Sequence, residues 1–192
     1  MKRNNREAEI DSPENQYRIG MALYQKHARD EAVTWLEKAA GQGYPLAMDA
    51  LGMIYFTQKD LDQAFRYWSM AVELGYPDAK NNLGWLYYTG QGVAQNFELA
   101  YKLHSEAASS SCDDDNVKAE AAKVAAVMSF NGEGTEKSLD QAIHWLEIAA
   151  NLGMFSARIM LQKIEEEKLD APIGKLISID LFKLYWDRQI LN

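Results

Sequence analysis

GYPDAKNNLGWLYYTGQGV, residues 75–93, is a near-copy of GYPLAMDALGMIYFTQ, residues 43–58. The small residues of the two phrases extend along the chain at measurable intervals. Gly20, Gly52 and Gly84 follow Ile19, Leu51 and Leu83 at steps of 32. Ala32, Ala64, Ala100 and Ala142 form a second series, with steps of 32, 36 and 42. Seven residues after each stands Ala39, Ala71, Ala107 or Ala149, and four later Gly43, Gly75, Ser111 or Gly153. Four units are therefore in register, and a period of this size marks a repeat architecture.

Each unit reads as two helices. The first contains IGMALY, LGMIYF, LGWLYY or AAVMSF, with small residues where another backbone must approach. The second contains EAVTWLEKAA, QAFRYWSMAV, LAYKLHSEAA or QAIHWLEIAA, apolar at helical spacing. A glycine just past the second helix suits a left-handed C-terminal cap, since it lacks the Cβ that resists that conformation. Tyr44-Pro45 and Tyr76-Pro77 then stop one helix and start the next. A unit of this kind cannot bury its apolar face alone, and stacked neighbours bury it for each other.

From Gly20 to Ala32 and from Gly52 to Ala64 the distance is 12 residues, whereas from Gly84 to Ala100 and from Ala126 to Ala142 it is 16. The additional residues bring in Gly90-Gln91-Gly92-Val93 and Gly132-Glu133-Gly134-Thr135, glycine-rich turns between the two helices. LGWLYYTGQGVAQNFELAYKLHSEAA, residues 83–108, resembles the Sel-1-like repeat, a relative of the tetratricopeptide repeat. SFNGEGTEKSLDQAIHWLEIAANLG, residues 129–153, is a second and weaker match, with Ala125-Ala126 where Leu-Gly is usual. The first two units carry the shorter, tetratricopeptide-like loop. The resemblance covers about residues 16–160. It implies an all-α, right-handed α-solenoid of stacked helix-turn-helix repeats, used mostly as a protein-binding scaffold. Secreted, cysteine-rich members of the resembled family staple their repeats with disulfides. The single Cys112 permits no intrachain disulfide, so neither their extracellular setting nor their penicillin-binding activity carries over.

The expected organisation is a flexible N-terminus over 1–11 and a solenoid over 12–160, with units at about 13–45, 46–77, 78–115 and 116–155. Residues 156–192 read as an incomplete fifth repeat followed by a C-terminal capping helix. Ser12 and Pro13 form a helix start. In the third unit Ser111 replaces the capping glycine, and SSSCDDDN delays the next helix by six residues. That insertion reads as a solvated loop with Asp115 or Asn116 as N-cap, or as an acidic metal or partner contact. Asp170-Ala171-Pro172-Ile173-Gly174 breaks the last helix. Beyond it Ile177, Leu181, Leu184, Tyr185, Ile190 and Leu191 share a helical face that serves as a cap or docks into a partner.

The formal net charge of -8 disfavours phosphate backbones as ligands, and the only basic cluster is Lys2, Arg3 and Arg6. No apolar run approaches the roughly 18 residues of a membrane span, and the start as written, MKRNNREAEIDSPEN, has basic residues but no apolar run behind them and does not read as a secretory signal. The expectation is a cytoplasmic protein with no nucleic-acid or membrane partner, its oligomeric state open.

With tetratricopeptide-like stacking the first helices line a concave face. The residues one after each repeat glycine or its equivalent, Met21, Met53, Trp85 and Val127, then point inward. So do those four after, Tyr24, Phe56, Tyr88 and Phe130. Both columns are apolar, and they serve either inter-helix packing or a partner-binding groove. Three residues before the glycine stand Tyr17, Asp49, Asn81 and Lys123, a mixed polar column.

No catalytic, metal or cofactor site is expected. His27, His104 and His144 form neither HxxxH nor HExxH, a lone cysteine is a poor basis for a zinc site, and the glycine turns lack the GK[ST] of a phosphate loop. Two functions follow: a non-enzymatic scaffold binding a partner protein in the groove, or a bacterial immunity protein neutralising a cognate secreted toxin. Small stand-alone Sel-1-like repeat proteins resemble such immunity partners, and an acidic chain suits a basic, nuclease-like target.

Overall fold

The computed structural model describes residues 11–111 and 114–167, and the regular structure among them is helical throughout. Nine helices follow in chain order among the described residues: α1 (Pro13–Gln25), α2 (Arg29–Gly41), α3 (Pro45–Thr57), α4 (Leu61–Glu73), α5 (Pro77–Thr89), α6 (Phe97–Ala108), α7 (Asp115–Asn131), α8 (Leu139–Asn151) and α9 (Phe155–Glu167). The chain divides into two compact units, Met1–Ala94 and Gln95–Asn192. Within each, chain-adjacent helices pack on one another. Lys2, Arg3, Arg6, Cys112 and the expected C-terminal cap from residue 168 onward lie outside the described residues.

The local chemistry that starts and stops these helices is written in the sequence. Ser12 Oγ accepts from Asn15 N at 3.3 Å, and Pro13 takes the first helical position. Asp60, Asn96 and Ser138 cap α4, α6 and α8 in the same way. The cap of α7 is Asp114 rather than Asp115 or Asn116: its Oδ1 accepts from Asn116 N at 2.9 Å and from Val117 N at 3.3 Å. A capping carboxylate must precede the amides it serves by two or three residues, which shifts the start by one. Gly43, Gly75 and Gly153, past α2, α4 and α8, have φ of 81°, 78° and 95°, the left-handed conformation their position calls for.

The core is built from equivalent positions of the repeats. Ala39, Ala71, Ala107 and Ala149 are all 0% exposed, and small side chains there let helices approach closely. Four residues after the alanine that opens each second helix stand Leu36, Trp68, His104 and Leu146, each 2% exposed or less. In the first unit Gly20 and Gly52 face Leu36 and Trp68. A Cβ built on Gly20 would lie 2.8 Å from Leu36 Cγ, and one built on Gly52 would lie 2.4 Å from Trp68 Nε1.

The glycine-rich turns also have a packing reason. Gly92 and Gly134 both have positive φ. A Cβ on Gly92 would stand 2.6 Å from Leu61 Cβ in the first unit, and one on Gly134 would stand 2.0 Å from Phe97 O in the second. Leu61 and Phe97 are the first residues of α4 and α6, so each turn lies against the start of a preceding second helix. The short connections of the first two repeats put His27 and Lys59 at φ 61° and 66°, where the long ones begin with Gly90 and Gly132.

Candidate functional site

Helical periodicity puts residues four apart on one face, and α1, α3 and α5 carry three such rows in the first unit. Met21, Tyr24 and Met53 are half-buried, as are Trp85 and Tyr88. Trp85 and Tyr88 stack, with ring centroids 5.9 Å apart and planes at 23°. Phe56 departs from the expected partner-facing column: it is 3% exposed and tilts against Trp68 at 5.6 Å. It therefore belongs to the core. Its repeat carries a tryptophan at the buried position of the second helix, and the large indole draws Phe56 inward.

In the second unit Val127 is likewise interior, 3% exposed among the alanines of α7 and Trp145 and Leu146 of α8. Phe130 is half-buried, with Lys137 Nζ 5.6 Å from its ring centroid. The expected partner residues thus separate into Met21, Tyr24, Met53, Trp85 and Tyr88 in the first unit, Phe130 in the second, and two core residues.

The polar column holds a cluster that the apolar columns overshadow in the sequence. Asp49, one turn before Met53 on α3, accepts a hydrogen bond from Asn82 Nδ2 at 3.0 Å. The wholly buried Trp68 indole also favours the charged form of this carboxylate. Burial, and next the negative charge of Asp78, nevertheless push the Asp49 carboxyl up to about 7. Tyr76, the N-terminal flank of α5, donates to Asp78. Its hydroxyl is pushed upward by burial, then by Asp78, with Asp49 and Tyr17 adding to the effect. Tyr17 meets Tyr44 with ring centroids 5.5 Å apart, and burial, Tyr44 and Asp49 raise its hydroxyl too.

Asn81, the expected member of that column, is 8% exposed, while its neighbour Asn82 reaches Asp49. Lys123, in the second unit, is 8% exposed and paired with Glu120 on its own helix. The signal available in the sequence was the spacing: Tyr17 and Asp49 stand four residues before Met21 and Met53.

Two further polar groups lie inside the second unit. Tyr101 hydroxyl accepts from Trp145 Nε1 at 3.2 Å and from Ser129 Oγ at 3.4 Å. His104, 1% exposed, is driven down to about 3 by burial and is neutral at ordinary pH. Among the described residues no group of three or more His, Cys, Asp or Glu side chains is placed to hold a metal ion. No helix among them is long and apolar enough to cross a membrane.

Comparison with known proteins agrees with this architecture. The family model described as Sel1 repeat matches residues 16–44, 45–76, 77–112 and 119–154. Among solved structures, a protective antigen of uropathogenic Escherichia coli displaying an SLR fold superposes with a TM-score of 0.75 at 24% identity, over 88% of this chain and 36% of that one. A Sel1 repeat protein from Oxalobacter formigenes gives 0.70 at 25% identity, over 81% of this chain and 64% of that one. Cysteine rich protein B of Helicobacter pylori gives 0.50 at 21% identity, over 65% and 93%. The chain thus spans about a third of the first of these proteins and just under two thirds of the second. No curated protein matches the sequence. With its helix pairs, its small-residue register and four matched repeats covering most of its length, the chain belongs to the Sel1 repeat family.

Proposed function

We propose that the chain is a non-enzymatic scaffold that binds a partner protein through the face of α1, α3 and α5. Sel1 repeats generally mediate protein–protein interaction. The observation that carries the reading here is the stacked, half-buried Trp85–Tyr88 pair on the same helical face as Met21, Tyr24 and Met53. Aromatic side chains bring large contact area at low entropic cost, and methionine adapts to irregular partners. Partial burial by the protein's own neighbours holds such anchors in place before the partner arrives, which lowers the cost of binding. No cofactor or metal enters this reading, and the cytoplasm is its proposed setting.

The test is a pull-down from the native host with wild type and a Trp85→Ala, Tyr88→Ala double variant whose fold is verified by circular dichroism. A stoichiometric protein retained by wild type and lost by the variant supports the face. Equal retention by both moves the contact elsewhere. Trp85→Ala alone should weaken the complex by about 2 kcal/mol, about thirtyfold in affinity.

An immunity protein for a secreted toxin is the second reading, favoured by the net charge of -8, which suits a basic target. Its gene would adjoin the toxin gene, and its deletion would harm cells only when the toxin is present. Harmless deletion in toxin-producing cells would remove this reading.

A further inference from the structure

We propose that the segment from Lys175 to Asn192 docks along α9 and covers the apolar patch made by Phe155 and Ile159. The inference does not depend on the partner-binding reading. It concerns the last described helix, and it assigns the patch there to this chain rather than to a partner.

The patch itself is the first support. Phe155 is 72% exposed and Ile159 38%, and residues four apart share one side of a helix. The other side of α9 is buried through Ala157, Met160 and Ile164 in the core of the second unit. Phe155 stands two residues after Gly153, where Pro45 and Pro77 stand after Gly43 and Gly75. Those prolines start their helices through a fixed φ. A phenylalanine brings no such backbone effect, so helix initiation does not account for its large apolar ring.

The repeat register says what kind of element belongs on the patch. Ile159 lies six residues after Gly153, as Asp49 lies six after Gly43. In the first unit the first helix of the next repeat meets this position: Asn82 of α5 donates to Asp49 at 3.0 Å. The equivalent residue of α1, Tyr17, meets Tyr44 at the start of α3, with ring centroids 5.5 Å apart. In the second unit Lys123 holds the same position and is 8% exposed. Ile159 therefore stands where a following helix is due. Its side chain offers no hydrogen bond, unlike those of Tyr17, Asp49 and Lys123, so the helix that covers it should be apolar there.

The sequence after α9 provides an occupant of that pattern and of the right length. Asp170-Ala171-Pro172-Ile173-Gly174 breaks the helix, and Ile177, Leu181, Leu184 and Tyr185 recur at helical spacing beyond it. The seven residues between Glu167 and Lys175 make an ordinary connection between two helices. Phe155 stands 12 residues before Glu167, about 18 Å along the axis. A helix returning from Lys175 covers the same distance of about 18 Å by Asp187, which brings Leu184 and Tyr185 between Ile159 and Phe155. A segment on so short a tether is present at an effective concentration of roughly millimolar. A second copy of the chain would have to compete with that from bulk solution.

The experiment is hydrogen exchange of the full-length chain, read by mass spectrometry, with molar mass followed by light scattering at several concentrations. Wild type is compared with Phe155→Ser, Ile159→Ser, which makes the patch polar, and with Phe155→Leu, Ile159→Val, which keeps it apolar. Protection of α8 verifies the fold of each. Expected is a monomer whose amides between Ile177 and Leu191 exchange about tenfold or more slower than in an unfolded chain. The serine variant should lose that protection, and the leucine–valine variant should keep it. Leu181→Ser, Leu184→Ser is the reciprocal variant, and it should quicken exchange at the start of α9. Exchange of the segment at the unfolded rate in wild type overturns the docking. Protection that the serine variant leaves intact, or a start of α9 that the reciprocal variant leaves unchanged, overturns the contact and places the segment on another surface. Protection that appears only as the molar mass doubles with concentration assigns the patch to a second copy instead.

Discussion

Gly52 lies directly against the Trp68 indole, so close that a Cβ built on it would stand 2.4 Å from Nε1 and 2.6 Å from Cδ1. The second helix of that repeat can carry a tryptophan at its buried position only because the first helix offers bare backbone there. Gly52→Ala should therefore cost about 2–3 kcal/mol, the range of an overpacked core. Gly41→Ala is the contrast. A Cβ there meets nothing within 4 Å, and Gly41 is helical, so the substitution should stabilise by about 0.5–1 kcal/mol. Urea unfolding of the two variants checks both signs, and a neutral Gly52→Ala would refute the contact.

Gly134 combines a positive φ of 71° with a neighbour, Phe97 O, 2.0 Å from where a Cβ would be. That neighbour is backbone and cannot rotate aside. Gly134→Ala should cost about 2 kcal/mol or more. Gly43→Ala has the same left-handed strain but open space, and should cost about 1 kcal/mol. Equal thermal shifts for the two would show that φ alone, without the packing against α6, accounts for the glycine.

Asp49 makes stability fall as pH rises. Its folded value of about 7 lies above the ordinary 3.8, so between the two the native state holds a proton that the unfolded chain has released. Its contribution to stability is greatest below pH 4, is lost through the window from about 4 to 7, and is level above it. Asp49→Asn keeps an oxygen to accept from Asn82 and carries no charge. It should raise stability at pH 8 by about 1–4 kcal/mol, an upper range from 1.36 kcal/mol per pKa unit, and leave it unchanged near pH 4. Melting temperatures across that window measure the difference. Parallel curves for wild type and variant would contradict the raised value.

His104 acts in the opposite sense. Its folded value of about 3 lies below the ordinary 6.5, since burial disfavours the imidazolium. The neutral native form contributes stability that is fully present above about 6.5 and is lost as pH falls from there toward 3. The His104 ring protons should not titrate by NMR between pH 8 and pH 4 while the chain is folded. In the Asp49→Asn background, acidification from pH 6.5 should destabilise more steeply than in wild type. A His104 titration near 6.5 would mean that the ring is reached by water.

The helix pairs were legible because their signals are local. Pro45, Pro77 and Ser12 start helices through φ and hydrogen-bond chemistry that involve only adjacent residues. Gly43, Gly75 and Gly153 end them for the same kind of reason. The binding columns were legible only in part. Tyr24, Phe56 and Tyr88 occupy equivalent positions, yet Phe56 is interior and the other two are half-buried. Periodicity reports which face a residue is on. How deep it goes depends on what stands opposite, and opposite Phe56 is Trp68.

By itself, then, the sequence determined the repeat, its helix pairs and the small residues at their contacts, because each follows from backbone sterics and a fixed period. Only the tertiary structure decided that Phe56 and Val127 are core and that Asn82 rather than Asn81 reaches Asp49. It also decided that Asp78, Tyr17 and Tyr76 come within electrostatic reach of Asp49. Those outcomes depend on distances of a few ångströms between side chains some 30 residues apart, and on how much water remains between them. No one-dimensional pattern carries either quantity.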